Sequence, residues 1–302
     1  MFVYLVELQD ALHPSSGRII EMAQMLLVLV TAVWGSTFVV VAQTVTSVSP
    51  IHFMALRFSI AALALLPWAI GASGPWPWKR AIWAGIWLFV AFYLQTRGLQ
   101  QTGPDRAAFI TSLNVLFVPI GEWAAYRVPI HRSLWIAGVT ALFGLALVLR
   151  PTVSGINTGD ILVLGTAITL VAQILASDRV PAGTSIMRFT WIEITVSAGL
   201  SWVGSLTNPT WNLSTATWVA ALYTGILASA FAYWAQTWAQ TRLRPFETAL
   251  IFLLEPIFAT IIGVWAANRP WTVRELLGAM IVIASLVGFE WYRASRPLAN
   301  SP

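Results

Sequence analysis

A chain of 302 residues in which 58% are hydrophobic and 10% charged has too little polar surface for a soluble globule, which carries about 25% charged residues; its solvent is a lipid bilayer. The excess of 17 Lys and Arg over 12 Asp and Glu reads as a signal for membrane orientation rather than as a nucleic-acid footprint. The absence of Cys excludes disulfides, thiol nucleophiles and Cys-ligated zinc, and His13, His52 and His131 sit outside or at the edges of the apolar runs without forming a ligand cluster.

Residues 1–21 carry Glu7, Asp10, His13 and Pro14, too many interruptions for a signal-peptide core, and read as a polar lead-in, with Met22 or Met25 as alternative starts. A bilayer core about 30 Å thick needs roughly 20 apolar residues in a helix. On that measure ten runs follow, near 22–44, 51–71, 81–101, 106–126, 134–150, 159–177, 185–206, 216–240, 246–267 and 273–292. The connections, such as "QTGPDR", "RPTVSGINTGD" and "RLRPFE", are short and built from turn residues, which leaves no room for a soluble domain. Trp76, Trp78, Trp211 and Trp271 suit an interfacial belt. With the N-terminus inside, ten basic residues between Arg18 and Arg296 fall on the cytoplasmic side against four (Arg106, Arg150, Arg269, Arg274) on the other, which predicts that both termini are cytoplasmic.

The chain reads as duplicated. A shift of 141 residues lays Gln95 on Gln236, Thr96 on Thr237, Pro104 on Pro245 and Ala108 on Ala249, and "ALRF" at 55–58 echoes "IMRF" at 186–189. The expected division is a lead-in (1–21), a first repeat (22–150), a second repeat (151–293) and a cytoplasmic tail (294–302). Five spans per repeat is an odd number, so the second repeat enters the bilayer in the opposite sense, the design of many secondary transporters. The predicted fold is therefore an all-α membrane protein of ten transmembrane helices in two inverted five-helix repeats.

The same shift places Glu255 on Asn114, each nine positions beyond a loop proline, or roughly 13 Å into the hydrocarbon at 1.5 Å per residue. Substrate sites in inverted-repeat transporters lie at this depth. Polar stripes at helical spacing accompany these two residues: Thr111 with Asn114, Thr169 with Gln173, and Tyr233 with Gln236 and Gln240. Small and hydroxyl residues also mediate plain helix packing, whereas a carboxylate at the bilayer centre costs at least about 2.5 kcal/mol and marks a pathway, a proton site or a counter-ion. Pro256 withholds an N–H from the carbonyl of Phe252 and bends the ninth span, and Pro119 is its counterpart as a hinge in the fourth. Arg57 and Arg188 are expected to close hydrogen bonds to neighbouring helix ends; Glu193 is a candidate partner for Arg188, but five residues apart on one helix is poor spacing, so any pairing of Glu193 is expected with another span.

The stretches "AVWGSTF" at 32–38, "LRF" at 56–58 and "LLEPIFATIIG" at 253–263, in this order and with the duplication, resemble the ten-span EamA-type branch of the drug/metabolite transporter superfamily over nearly the whole chain after about residue 22. The resemblance implies a basket-like bundle in which spans 1, 3, 4, 6, 8 and 9 line a central cavity and spans 5 and 10 buttress it. It also implies export of small metabolites, several of them amino acids, across the bacterial inner (plasma) membrane. Trp34, Ser36 and Thr37 match its first-span motif and Glu255 with Pro256 its ninth; Asn114 and Val115 depart from it, since no Glu-Pro stands there.

The expected protein is thus an exporter of amino acids, aromatic ones among them, with alternating access at the midplane. Trp34, Ser36, Thr37, Tyr93, Gln95, Asn114, Gln173, Tyr233, Gln236, Trp238 and Glu255 are its candidate substrate and cavity residues, and Glu255 is also a candidate proton or charge site. Its expected partners are a small-molecule substrate and the lipid bilayer, without nucleic acid, metal, cofactor or catalytic residues. A multidrug or nucleotide-sugar-like carrier of the same architecture is the alternative. A channel ranks lower, as does an intramembrane enzyme, for which the sequence has no G-x-S-x-G or H-E-x-x-H motif.

Overall fold

Among the described residues all regular structure is helical. The structure is a computed structural model and describes residues 14–295 apart from 152–154, 179, 181–182, 208–210, 212 and 267; the first part of the lead-in and the tail from 296 lie outside the described residues. The helices are α1 (Pro14–Thr44), α2 (Pro50–Gly71), α3 (Trp78–Gly98), α4 (Pro104–Ser112), α5 (Asn114–Tyr126), α6 (Arg132–Leu149), α7 (Thr158–Asp178), α8 (Ile186–Ser205), α9 (Thr215–Gly225), α10 (Ala232–Gln240), α11 (Pro245–Phe252), α12 (Glu255–Ala266) and α13 (Val273–Ser295), with a π-helical turn, Ile226–Phe231, between α9 and α10. Among the described residues, seven stretches are long and apolar enough to cross a bilayer: Gly17–Thr44, Pro50–Gly71, Pro104–Tyr126, Arg132–Leu149, Thr158–Asp178, Thr215–Gln240 and Pro245–Trp265. The chain is a multi-pass, all-α membrane protein. Its outward faces carry Leu63, Ile136, Phe143, Val203 and Met280, all well exposed, as a surface meant for lipid requires.

Local chemistry sets the helix limits. Pro50, Pro104 and Pro245 open α2, α4 and α11, where a missing N–H costs nothing because the first turn has no intrahelical acceptor for it. Ser185 and Ser214 cap α8 and α9 by accepting the backbone N–H of Arg188 and Thr217. Helix α1 starts eight residues before the expected span, at Pro14, so the second part of the lead-in continues the first span rather than standing apart from it.

Two helical stretches break in their middles. Between α11 and α12, Leu253 and Leu254 turn their N–H groups to carbonyls only three residues back, Leu250 at 3.2 Å and Ile251 at 3.0 Å, because Pro256 cannot donate to Phe252. This is the bend expected at Pro256. Between α4 and α5 the break falls at Leu113, whose N–H reaches the Ile110 carbonyl at 3.2 Å. Pro119 lies inside α5, so the break of the fourth span falls at the residue before Asn114 rather than at Pro119.

Helix α3 packs along α7 and α8, α1 along α10 and α12, α2 along α8 and α9, and α6 along α13. Ion pairs fasten the ends: Arg106 to Asp160 at 2.6 Å joins α4 to α7, and Arg293 to Glu247 at 2.8 Å joins α13 to α11. Arg188 behaves as expected, donating to the Ala69, Ala72 and Gly74 carbonyls beyond the end of α2 and covering the Trp76 ring at 4.6 Å. His52 stands at the edge of its run, in the first turn of α2, yet is not at the surface. It is fully buried and stacks on Trp211 at 4.0 Å between ring centroids, because α2 starts at Pro50 and carries it straight into the packed interior.

Candidate functional site

Helices α1, α2, α3, α7 and α10 and the two broken stretches surround a central cavity. Its wall is made by Trp34, Thr37, Phe38 and Val41 on α1, Arg57 on α2, Phe92, Gln95 and Thr96 on α3, Thr111, Ser112 and Asn114 around the first break, Gln173 and Ile174 on α7, Tyr233 and Gln236 on α10, and Phe252, Glu255 and Pro256 around the second. The wall extends toward the helix ends at Thr44, Gly98 and Pro104. On the opposite side it stops at Gln173 and Gln236.

Glu255 is the first residue of α12, so the break that Pro256 causes also delivers the carboxylate to the cavity. Among the described residues no hydrogen bond or ion pair engages its side chain. Arg57 shares the cavity and lies within electrostatic range of Glu255 without closing an ion pair. Its own hydrogen bonds go elsewhere: Nε donates to Ser229 Oγ at 2.7 Å and Nη2 to the Ala228 carbonyl at 3.2 Å, while the guanidinium covers the Phe92 ring at 4.6 Å. At 3% exposure this cation is held by the protein but leaves donor capacity toward the cavity, since a guanidinium has five N–H groups.

The π-helical turn makes that arrangement. Its wider winding lets Ser229 Oγ reach back five residues to the Thr224 carbonyl at 2.9 Å and frees the Ala228 carbonyl, which accepts from both Arg57 and Trp34 Nε1, the latter at 2.9 Å. Single π turns inside α-helices often mark functional sites. Gly35 completes the geometry. A Cβ there would stand 2.6 Å from the Glu255 carbonyl and 2.8 Å from the Ala259 nitrogen, so only glycine lets α1 cross this close to the backbone that presents Glu255. Gly35→Val is expected to lower thermal stability by about 1–3 kcal/mol through overpacking and to reduce transport, read by thermal inactivation and vesicle uptake on one preparation.

Aromatic rings form the flat walls. Trp34 lies 5.5 Å from Tyr233 and 5.1 Å from Phe252, and Phe92 lies 6.1 Å from Tyr233, in tilted or edge-on pairs. The closed side is a chain of amides. Gln236 Nε2 donates to Gln173 Oε1 at 3.1 Å and to Gln240 Oε1 at 3.2 Å, and Gln240 Nε2 donates to the Ile174 carbonyl at 3.4 Å. Gln173 Nε2 in turn donates to Glu193 Oε1 at 2.7 Å and Ser177 Oγ at 3.2 Å.

Of the residues expected at the site, Trp34, Thr37, Gln95, Asn114, Gln173, Tyr233, Gln236 and Glu255 line the one cavity, with Pro256 beside them. Ser36, Tyr93 and Trp238 do not. Ser36 bonds to the Val33 carbonyl and the Tyr223 hydroxyl of α9, Tyr93 is 38% exposed and stacks on Phe89, and Trp238 lies under the Arg242 guanidinium at 3.8 Å. A helix turns about 100° per residue, so Tyr93 points away from the face on which Phe92 and Gln95 stand. Asn114 is 4% exposed and its Oδ1 has no partner, a buried acceptor open to a donor.

Comparison with known proteins agrees with the fold. The model of the EamA-like transporter family matches residues 22–150 and again 157–290. A protein of Archaeoglobus fulgidus described as an uncharacterized transporter is 30% identical over 262 residues, 86% of this chain and 83% of that one. The Bacillus subtilis uncharacterized transporter YwfM is 26% identical over 280 residues, 87% of this chain and 92% of its own. A solved crystal structure superposes with a TM-score of 0.75 over 92% of this chain and 99% of its own at 16% identity, a likeness of fold alone.

Proposed function

Because the chain belongs to the EamA-like transporter family, we propose that it is a secondary transporter, not an enzyme, that exports small metabolites, chiefly amino acids and aromatic ones among them. The observation that carries this reading is one cavity holding an unpartnered carboxylate, Glu255, and a buried guanidinium, Arg57, between aromatic walls. An α-amino acid is complementary to that pair: its ammonium faces Glu255, its carboxylate faces Arg57 in charge-assisted hydrogen bonds, and a ring side chain packs on Trp34, Tyr233 and Phe252. Asn114 and Gln95 supply further polar contacts.

The architecture proposed for this transport is ten spans in two inverted repeats in a bacterial inner membrane, with both termini in the cytoplasm. The packing supports it. Exchanging the halves turns the contact of α3 with α7 into that of α10 with α1, and the contact of α3 with α8 into that of α9 with α2. Matching glycines stand at the second pair of contacts: a Cβ on Gly85 would meet the Glu193 carbonyl and Val196, and one on Gly225 the Arg57 carbonyl and Ile60. The equivalent amides Gln95 and Gln236 differ, however, since Gln236 is bonded to Gln173 while Gln95 faces the open cavity without a side-chain partner among the described residues. We read the bonded Gln236 side as shut and the Gln95 side as open. On the proposed orientation the structure is outward-facing, and the inward-facing state arises by exchanging the two conditions.

Uptake of a labelled amino-acid panel into proteoliposomes, with and without an imposed pH gradient, tests the substrate. Aromatic amino acids are expected to accumulate above empty vesicles and to be competed poorly by their N-acetyl and ester derivatives, each of which loses one charge. The aromatic walls with Glu255 also suit a multidrug carrier for organic cations. Competition by the esters as strong as by the free amino acids, or movement of a lipophilic cation with no amino-acid uptake, would transfer the assignment to that class.

A further inference from the structure

We propose that Glu193 is a proton site that seals the Gln240 side of the cavity, binding a proton while that side is shut and releasing it to the adjoining solution when that side opens. The proposal rests on the alternating-access reading above. Glu193 lies outside the cavity wall, behind Gln173, and has 0% exposure. Its Oε1 accepts from Gln173 Nε2 at 2.7 Å, and its Oε2 has no partner. A carboxylate that is fully desolvated, singly hydrogen-bonded and without a counter-ion is unfavourable by several kcal/mol. A proton on Oε2 removes the charge and with it most of that cost.

The charged and titratable groups around it do not offset a negative charge. On α2, Arg57 is engaged by Ser229, Ala228 and Phe92, and His52 stacks on Trp211. On α3 the stretch between Arg80 and Tyr93 has no titratable side chain, and Gly85 packs against the Glu193 backbone. On α10 the only such group is Tyr233, within electrostatic range, and the π-helical turn has none. On its own helix Arg188 is committed to the carbonyls beyond α2 and to Trp76, and no described cation pairs with Glu193. Arg57 and Glu255 face each other's charge across the cavity, whereas Glu193 faces no cation that pairs with it among the described residues.

The connection to gating is direct. Gln173 on α7 holds Glu193 with its nitrogen and Gln236 on α10 with its oxygen. Parting α7 from α10 breaks the Gln236–Gln173 bond and admits water to Glu193, which then ionises at little cost. The shut side binds one proton more than the open side, so raising the pH shifts the equilibrium toward opening. The step is a proton transfer between Glu193 and water, with no other bond made or broken.

The chain has no Cys, so Ser177→Cys, at a position of 0% exposure just beyond Gln173, is a unique reporter. The full chain in lipid nanodiscs, without substrate, is alkylated with a maleimide at about pH 6 and about pH 8.5. Each rate is divided by that of the same protein denatured, which cancels the thiol's own ionisation. The normalised rate is expected to rise about tenfold with pH, to stay low and flat when Glu193→Gln is added, and to keep its rise with Glu193→Asp. A flat rate in the Ser177→Cys chain alone overturns the proposal, as does an undiminished rise in the Glu193→Gln background. Since no substrate is present, a wrong assignment of substrate leaves this result readable.

Discussion

Glu255→Gln is expected to lower amino-acid transport by roughly 30-fold or more, the equivalent of about 2 kcal/mol or above for truncating one partner of a desolvated charge pair, while the protein still folds and inserts. Both halves of the expectation come from the environment. The carboxylate makes no hydrogen bond or ion pair among the described residues, so its removal breaks no bond on which the fold depends. The amide keeps the shape but cannot balance the charge of Arg57 or of a bound ammonium. Uptake measured with and without an imposed pH gradient separates two roles. Loss only under the gradient assigns Glu255 to proton coupling, whereas equal loss in both conditions, with unchanged thermal inactivation, assigns it to the substrate.

Much of this site was legible in the sequence because Glu255 and Pro256 are adjacent. A carboxylate and a helix breaker inside an apolar run are each unfavourable, and together they indicated both the break and the charge it presents. The shift that aligns Gln95 with Gln236 and Asn114 with Glu255 brought residues from distant spans to one place before any packing was known. What the sequence hid has two physical origins. The break at Leu113 has no proline or glycine beside it, and Gly225, which precedes the π-helical turn, serves a close helix contact and does not by itself announce a change of winding; both features depend on how neighbouring helices compete for carbonyls such as that of Ala228. The aromatic walls were hidden for another reason, since Phe38, Phe92 and Phe252 are indistinguishable in sequence from rings that face lipid. Tyr93 and Trp238 show the converse error: polar-tipped aromatics looked suited to a site, and the 100° turn of the helix carries them to another face.

Arg57, a charge seven residues into its helix, was read from the sequence as structural, and its variants give the second large expected effect. Arg57→Met removes bonds to Ser229 and Ala228 that are worth about 1.5–3 kcal/mol each for an ionised donor and leaves Glu255 as an uncompensated charge. It is therefore expected to lower the temperature of thermal inactivation and to abolish amino-acid uptake. The double variant Arg57→Met/Glu255→Gln separates these causes. If the two charges act on each other across the cavity, the double variant is more stable than the sum of the single losses predicts, by a coupling of about 0.5–3 kcal/mol, while uptake stays absent because neither end of the amino acid finds its partner. Strict additivity in stability would instead mean that Arg57 serves to hold the π-helical turn rather than to balance Glu255, and the carboxylate end of the substrate would then have to be met by another donor of the wall, such as Gln95 or Asn114, neither of which makes a side-chain hydrogen bond among the described residues.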